Sequence, residues 1–579
     1  MVPVRKTPEG SGLRAPKRDH PSDRSLTAPR AARARPIRSV EARLRCAGGL
    51  LFARGGRQKA RECMLQIRHL TITHKESLRK LTDDLSFVIN RGDKTVLIGE
   101  EGNGKSTLLK WIYDPRLIAG YAEAEGTRVS QGETLAYLPQ ELPAEAREQS
   151  VFEYFSERAG FADASPRELA ALEAQLGLPE GTCCGAQRMG TLSGGEKVKI
   201  QLAALLLARP DVLLLDEPSN DVDLETLAWL EALIRSCPQS VLFISHDETL
   251  IERTADHVIL LEQLRRKSES RHTVAALPYR QFVQERAALF QKQAQRAGSE
   301  RREEAKAMEK FRRIRQRVEF EQETISRGDP AGGRLLKKKM ASVKAMERRY
   351  AREHAEMTAD PESEDAILIR QHGAARVPPN KTVLDLRVPE LRCPGGDRRV
   401  LAENVSLRVR GAEKICIVGR NGAGKTTLLR AIRDALNARN DLRVFYVPQD
   451  HDELLRPDET PVAFLAPDGT KDAVTEARTY LGSLRFTAEE MLRPIRTLSG
   501  GQRAKLLLLK MSLSDADVLL LDEPTRNLSP LSGPEIRALL RGFPGAIISV
   551  SHDRKFIAEV CSRAYRLTQS GLAPIETAD

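Results

Sequence analysis

Aromatic side chains are scarce in this chain, 4% of 579 residues with two tryptophans. Long apolar runs are missing as well: Val212–Leu215 and Val518–Leu521 are the size of a strand, far short of the roughly 18 residues of a membrane-spanning helix. An integral membrane segment is therefore not expected. The eight cysteines, at 46, 63, 183, 184, 237, 393, 416 and 561, include no C-x-x-C pair. That spacing argues against a zinc site and against a disulfide framework, and makes a reducing, cytoplasmic compartment the expectation. A secretory signal is lacking too, since the apolar stretch Cys46–Ala53 is short and starts far from the first residue.

What is plentiful is charge, unevenly placed. Of the net +12, residues 1–63 carry 16 Lys/Arg against 5 Asp/Glu and residues 296–352 carry 18 against 9, so the rest of the chain is mildly acidic. Two basic segments on an acidic body point to local anionic partners. Residues 1–63 are rich in Arg, Pro, Ala and Ser without periodicity, the composition of a disordered leader. Met64 opens the strand-like run Leu65–Leu70. Either translation starts at Met64, or the leader is a nucleic-acid-binding tail or an organellar signal.

The chain is too long for one core, and it repeats itself. Leu192-Ser-Gly-Gly-Glu196, Asp211-Val-Leu-Leu-Leu-Asp-Glu-Pro218 and Ser245-His-Asp247 return as Leu498-Ser-Gly-Gly-Gln502, Asp517-Val-Leu-Leu-Leu-Asp-Glu-Pro524 and Ser551-His-Asp553. All three segments share one offset of 306 residues, the mark of a duplicated domain. The expected organisation is a leader at 1–63, one copy at 64–262, a linker at 263–380 and a second copy at 381–579. In the linker, Phe311, Ile314 and Val318, then Leu336, Met340 and Val343, recur at helical spacing on either side of Ser326-Arg-Gly-Asp-Pro-Ala-Gly-Gly333. An antiparallel hairpin of helices over 299–325 and 334–356, each about 35–40 Å long, with a glycine-rich tip fits this pattern. Gly298-Ser299 is expected to end or kink the stretch before it.

Both copies carry G-x-x-x-x-G-K-[ST] between an apolar strand and an apolar helix start, Ile98–Thr107 and Val418–Thr427. Glycines let successive N–H groups turn inward around phosphate oxygens at a helix N-terminus. The candidate nucleotide-binding residues are Gly99, Gly102, Asn103, Gly104, Lys105, Ser106 and Thr107, and Gly419, Gly422, Ala423, Gly424, Lys425, Thr426 and Thr427. Lys105 and Lys425 suit the β- and γ-phosphates of a nucleotide, and Ser106 and Thr426 suit Mg²⁺. Asp216 and Asp522 end hydrophobic strands, where a carboxylate can hold the metal. Glu217 and Glu523 follow and are positioned to polarise an attacking water.

With Leu-Ser-Gly-Gly upstream of Asp-Glu-Pro by the same 23 residues in each copy, and the histidine 30 residues further on, the chain resembles the ATP-binding cassette family. The fold so implied is α/β: two P-loop ATP-binding cassette domains joined by an α-helical hairpin linker, with ATP and Mg²⁺ as cofactors. The resemblance implies that Gln140 and Gln449 sense Mg²⁺ and the γ-phosphate. It implies that Ser193, Gly194 and Gly195 close on ATP held by the other copy, as do Ser499, Gly500 and Gly501. His246 and His552 would contact the γ-phosphate. Two departures stand out: no aromatic precedes either phosphate loop to stack on adenine (His74 and Cys393 hold those regions), and Ser529 stands where the family usually has Asp. Inequivalent sites are expected.

Among cassette proteins the arrangement looks most like the ABC-F family, tandem cassettes joined by a basic two-helix linker and acting on the ribosome. Thr525–Pro530 and Ser551–Phe556 resemble the branch containing antibiotic-resistance ribosome-protection proteins. In that family the linker enters the tRNA exit site, so Arg334, Lys337, Lys338 and Lys339 would meet ribosomal RNA or tRNA. A monomer whose cassettes pair within the chain is implied. The competing reading is a double-cassette subunit that energises a membrane transporter.

Overall fold

A run such as Val-Leu-Leu-Leu-Asp, apolar at consecutive positions, suits a strand covered on both faces, and each copy uses it one strand in from the edge of a six-stranded sheet. The computed structural model describes residues 65–575 except 131, 265–268, 325–329, 356–376, 394–398, 485 and 527. The basic leader expected over 1–63 and the turn of the linker hairpin lie outside these residues.

The first unit runs β1 (Leu65–His74), β2 (Lys80–Ile89), β3 (Lys94–Ile98), α1 (Lys105–Tyr113), β4 (Ala122–Val129) and β5 (Leu135–Leu138). Helices α2 (Ala144–Glu148), α3 (Val151–Ser156) and α4 (Pro166–Leu176) follow as a small helical insertion, and then α5 (Gly194–Leu207). The unit closes with β6 (Val212–Asp216), α6 (Leu224–Ser236), β7 (Ser240–Ile244), α7 (Glu248–Thr254), β8 (His257–Leu264) and β9 (Glu269–Ala275). Its main sheet has the order β5-β6-β7-β3-β8-β9, parallel but for the last pair, and β2-β1-β4 form a separate antiparallel sheet. Alternate residues of the central strands serve two cores. Leu213, Leu215, Val241 and Phe243 pack towards α5 and α6, while Val212, Leu214, Leu242 and Ile244 pack with α1 and the antiparallel sheet. β9 lies beyond residue 262, the boundary expected from sequence, yet it pairs with β8 along seven residues and completes this sheet.

The linker is a pair of helices, α8 (Tyr279–Thr324) and α9 (Pro330–Ala355). α8 starts about twenty residues earlier than the apolar spacing indicates and passes through Gly298-Ser299 without a break. At 46 residues it is about 69 Å long. Gly332 and Gly333, expected in the turn, are part of α9, which leaves 325–329 between the helices. The two run antiparallel. Phe311, Val318 and Val343 are buried between them, with Ile314, Met340, Met346 and Tyr350 alongside, and the rings of Phe311 and Tyr350 meet edge-on at 5.7 Å.

The second unit repeats the first: β10 (Thr382–Arg392), β11 (Val400–Arg410), β12 (Lys414–Val418), α10 (Lys425–Asn437) and β13 (Val444–Val447). After the insertion helices α11 (Pro461–Leu465) and α12 (Lys471–Ser483) come α13 (Gly500–Leu513), β14 (Val518–Asp522), α14 (Gly533–Gly542), β15 (Ala546–Val550), α15 (Arg554–Val560), β16 (Arg563–Thr568) and β17 (Gly571–Ile575). The sheet order β13-β14-β15-β12-β16-β17 matches that of the first unit. The units also interlock, since Leu224 packs on the second core and Leu531 on the first. No helix among the described residues is long and apolar enough to cross a membrane.

Candidate functional site

Each phosphate loop joins a buried strand to a helix N-terminus, β3 to α1 and β12 to α10. The N-cap glycines Gly104 and Gly424 are left-handed, with φ of 87° and 94°. A Cβ there would also lie 2.8 Å from Leu81 Cβ and 2.9 Å from Leu401 Cδ1, so only glycine lets the loop curl this tightly. Inside the curl, Lys105 Nζ donates to the carbonyls of Gly99 (2.7 Å) and Glu100 (3.0 Å). Lys425 Nζ does the same to Gly419 (2.9 Å) and Arg420 (3.1 Å). Burial lowers both ammonium pKa values, against the pull of nearby carboxylates. A buried cation and unpaired helix N–H groups turned into one loop fit a polyphosphate.

The carboxylates stand beside the loops. Ser106 Oγ donates to Asp216 at 2.9 Å, and Tyr137 OH donates to its other oxygen at 3.0 Å. Tyr137 is not among the residues singled out from sequence; its signal is the repeat of Tyr137-Leu-Pro-Gln140 as Tyr446-Val-Pro-Gln449. Glu217 and Glu523 both have positive φ, 51° and 53°. This costs a non-glycine residue about 1–2 kcal/mol and clusters at functional sites. Glu217 accepts from Gln140 Nε2 (3.0 Å) and Asn220 Nδ2 and lies 3.3 Å from His246 Nε2. Burial alone would raise its carboxyl; the hydrogen bond and charge of His246, with Lys105 and Asn220, bring it down to about 2. Glu523 is the opposite case. Burial, reinforced by the charge of Asp522, lifts it to about 7, and the backbone N–H of His552 offsets this only in part. Burial and the charge of Lys425 lower His552 to about 4. Neither oxygen of Asp522 and neither ring nitrogen of His552 completes a hydrogen bond.

The segments far apart in sequence meet across the cleft between units. Ser193 and Ser499 cap α5 and α13, each with its side chain accepting from the third helical N–H. Ser193, Gly195 and Lys199 line one cavity with Arg420, Asn421 and Gly422 of the second phosphate loop. Gly194 is tight against the Asp221 carbonyl, 2.0 Å from where a Cβ would stand. The reciprocal contact places Gly501 N–H against the Glu101 carboxylate of the first loop. A neighbouring cavity of about 520 Å³ brings Lys425, Thr426, Gln449, Asp522, Glu523 and His552 together with Ser219 and Asp221 of the first unit. Cys393 and Leu401 also line it, so apolar rather than aromatic groups stand near the loop. In the first unit His74 is turned towards Tyr121, ring centres 6.4 Å apart. The linker positions fall elsewhere: Arg334, Lys337, Lys338 and Lys339 are exposed on α9, with Lys339 tied to Glu321 at 2.6 Å.

The ABC transporter family profile matches residues 82–220 and 402–526, one stretch in each unit. The chain is 28% identical over 526 residues to the ATP-binding protein Uup of Escherichia coli K12, covering 82% of this chain and 76% of that one. It is 27% identical over 529 residues to human ATP-binding cassette sub-family F member 3, covering 84% and 69%. The chain is similar to ABC-F proteins over most of its length. Its two units are ATP-binding cassettes, and the cleft described above is where tandem cassettes of this kind face one another. Among solved structures it is similar to the archaeal ribosome recycling factor aABCE1, crystallised with the ribosomal stalk protein aP1. The TM-score is 0.54 at 18% identity, over 88% of this chain and 90% of that one. At that identity the likeness concerns the two-cassette fold alone.

Proposed function

We propose that this protein is a cytoplasmic ABC-F ATP hydrolase that acts on the ribosome through its helical linker. The supporting observation is the linker itself: a long antiparallel helix pair between two facing cassettes, carrying exposed Arg334, Lys337 and Lys338 towards its turn. Cations at the end of a rigid arm suit RNA phosphates.

In this reading Lys105 and Lys425, with the N–H groups of Gly102–Ser106 and Gly422–Thr426, hold the phosphates of two ATP molecules. Ser106, Gln140 and Asp216 hold one Mg²⁺, and Thr426, Gln449 and Asp522 the other. ATP supplies the phosphoanhydride bond whose hydrolysis drives the change of state. The carboxylate of Glu523 accepts the proton of the attacking water, and that of Glu217 is placed for the same role in the first site. His246 and His552 donate towards the γ-phosphate position. Ser193–Gly195 and Ser499–Gly501 hold each nucleotide from the opposite side, so a closed cleft requires both cassettes and fixes the arm. Opening after hydrolysis is a population shift between these two arrangements. Service on translating ribosomes or protection of the ribosome from an antibiotic would use the same cycle.

The test is charge reversal at the exposed cations, Arg334→Glu with Lys337→Glu and Lys338→Glu. Ribosome pelleting in ATP should weaken, and its log–log salt slope should fall by about one unit for each phosphate that is no longer neutralised. Unchanged pelleting and slope would mean that these residues are only a solvated face, and would favour the transporter-subunit reading.

A further inference from the structure

The two phosphate loops differ at the residues after their first glycine: Glu100-Glu101 in the first and Arg420-Asn421 in the second. Carboxylates are the wrong sign for a loop that cradles phosphate, because like charges at short range repel. Here both reach across the cleft. Glu101 accepts from the backbone N–H of Gly501, in the first turn of α13, where an unpaired helix N–H attracts an anion. Glu100 pairs with Lys505 Nζ at 3.0 Å, with 9% and 8% of the two side chains exposed, and accepts from Ser532 Oγ at 3.2 Å. A pair this desolvated leaves an uncompensated charge if either partner is removed.

The rest of the first site is also satisfied from within the protein. Asp216 is held by Ser106 and Tyr137, Glu217 by Gln140 and Asn220, and His246 Nδ1 lies 2.6 Å from the Leu528 carbonyl of the other cassette. In the second site the contacts of the equivalent groups are looser: Asp522 has Thr426 beside it, His552 Nε2 lies 3.8 Å from Glu523, and neither side chain completes a hydrogen bond of ordinary length, beside a cavity of about 520 Å³.

We infer that Glu100 and Glu101 form an internal anion that occupies the signature end of α13, so that the first site closes on protein carboxylates and MgATP binds preferentially at the second. Glu100 and Glu101 are then the specificity-determining residues that make the two sites unequal. The inference rests on reading both loops as ATP sites and is independent of the ribosome.

Two measurements on the full chain test it. In calorimetric titration with the magnesium complex of AMP-PNP, a non-hydrolysable ATP analogue, the natural protein should bind one tight equivalent. Lys425→Ala should abolish that equivalent and Lys105→Ala should not. Glu100→Gln with Glu101→Asn should strengthen the second equivalent by about tenfold or more, the size of a charged hydrogen bond. Without nucleotide, hydrogen exchange at the amides of 500–505 should quicken by about tenfold or more in Glu101→Gln, and equally in Lys505→Met on the other side of the cleft. Two equivalents of equal affinity in the natural protein, or exchange unmoved by both substitutions, would overturn the inference. Absence of binding at either site would instead sink the ATP reading, and the exchange measurement would still decide whether the carboxylates hold α13.

Discussion

Glu217 and Glu523 share a strand end, a left-handed backbone and the residue on either side, and differ in what surrounds the carboxylate. Glu217 is ringed by donors and held at about 2, where it is a weak base. Glu523 is raised to about 7, close to the optimum for a general base working near neutrality. Glu523→Gln should therefore lower steady-state phosphate release by about a hundredfold or more, and Glu217→Gln by much less. Near-natural turnover in Glu523→Gln would remove it as the base. The same residue sets a pH dependence. Below about 7 its carboxyl carries a proton and cannot accept one from water; above that it is ionised, so the rate should climb with pH through about 7. His552, lowered to about 4, stays neutral across this range and adds no second limb. A rate that is flat across neutrality would contradict the assignment.

At the scale of elements, the cassettes are fastened by charge as well as by the nucleotide cleft. Arg537 on α14 lies 2.9 Å from Glu248 on α7, Lys555 on α15 reaches Glu248 and Glu252 at 2.9 and 2.6 Å, and Arg554 reaches Glu231 at 2.9 Å. Arg537 is 4% exposed, so Arg537→Ala leaves Lys555 as the cation that still pairs with Glu248 and should cost about 2 kcal/mol, the size of a lost hydrogen bond to a charged group, read as a lower urea midpoint. An unchanged midpoint would show the pairing to be incidental. This network was not legible in the sequence. Arg554-Lys555 stood out beside Ser551-His-Asp553, but their partners lie some 300 residues away and acidic residues on a short helix carry no local signal. The strand–loop–helix units were legible because their chemistry is contiguous: glycines, lysine and hydroxyl sit within one turn of chain. The central strands were legible for the same reason. The start of α8 was not, since its first apolar residues, Tyr279, Phe282 and Val283, pack on the core of the first cassette rather than inside the hairpin, and Gly298-Ser299 reads as a break although the helix runs through it. Nor was β9, whose membership in the sheet depends on pairing with β8 rather than on its own half-exposed residues.

For the whole molecule, the arrangement couples two distant surfaces. Residues of both cassettes meet at each phosphate loop, and the hairpin springs from the last strand of the first cassette and leads back to the second. In the proposed cycle, closing the cleft would set the base of an arm whose longer helix extends about 69 Å, from 46 residues. The repeat made the two-cassette plan plain from sequence, while the inequality of the sites depends on Glu101 meeting Gly501 400 residues away, a pairing only the folded chain reveals. The most direct test of the account is sucrose-gradient sedimentation of the Glu217→Gln/Glu523→Gln protein with ribosomes, in MgATP and in MgADP. Co-migration with ribosomes is expected in MgATP, because binding without turnover holds the cleft closed, and much less in MgADP. Failure to co-migrate in MgATP, or equal co-migration in both, would contradict it.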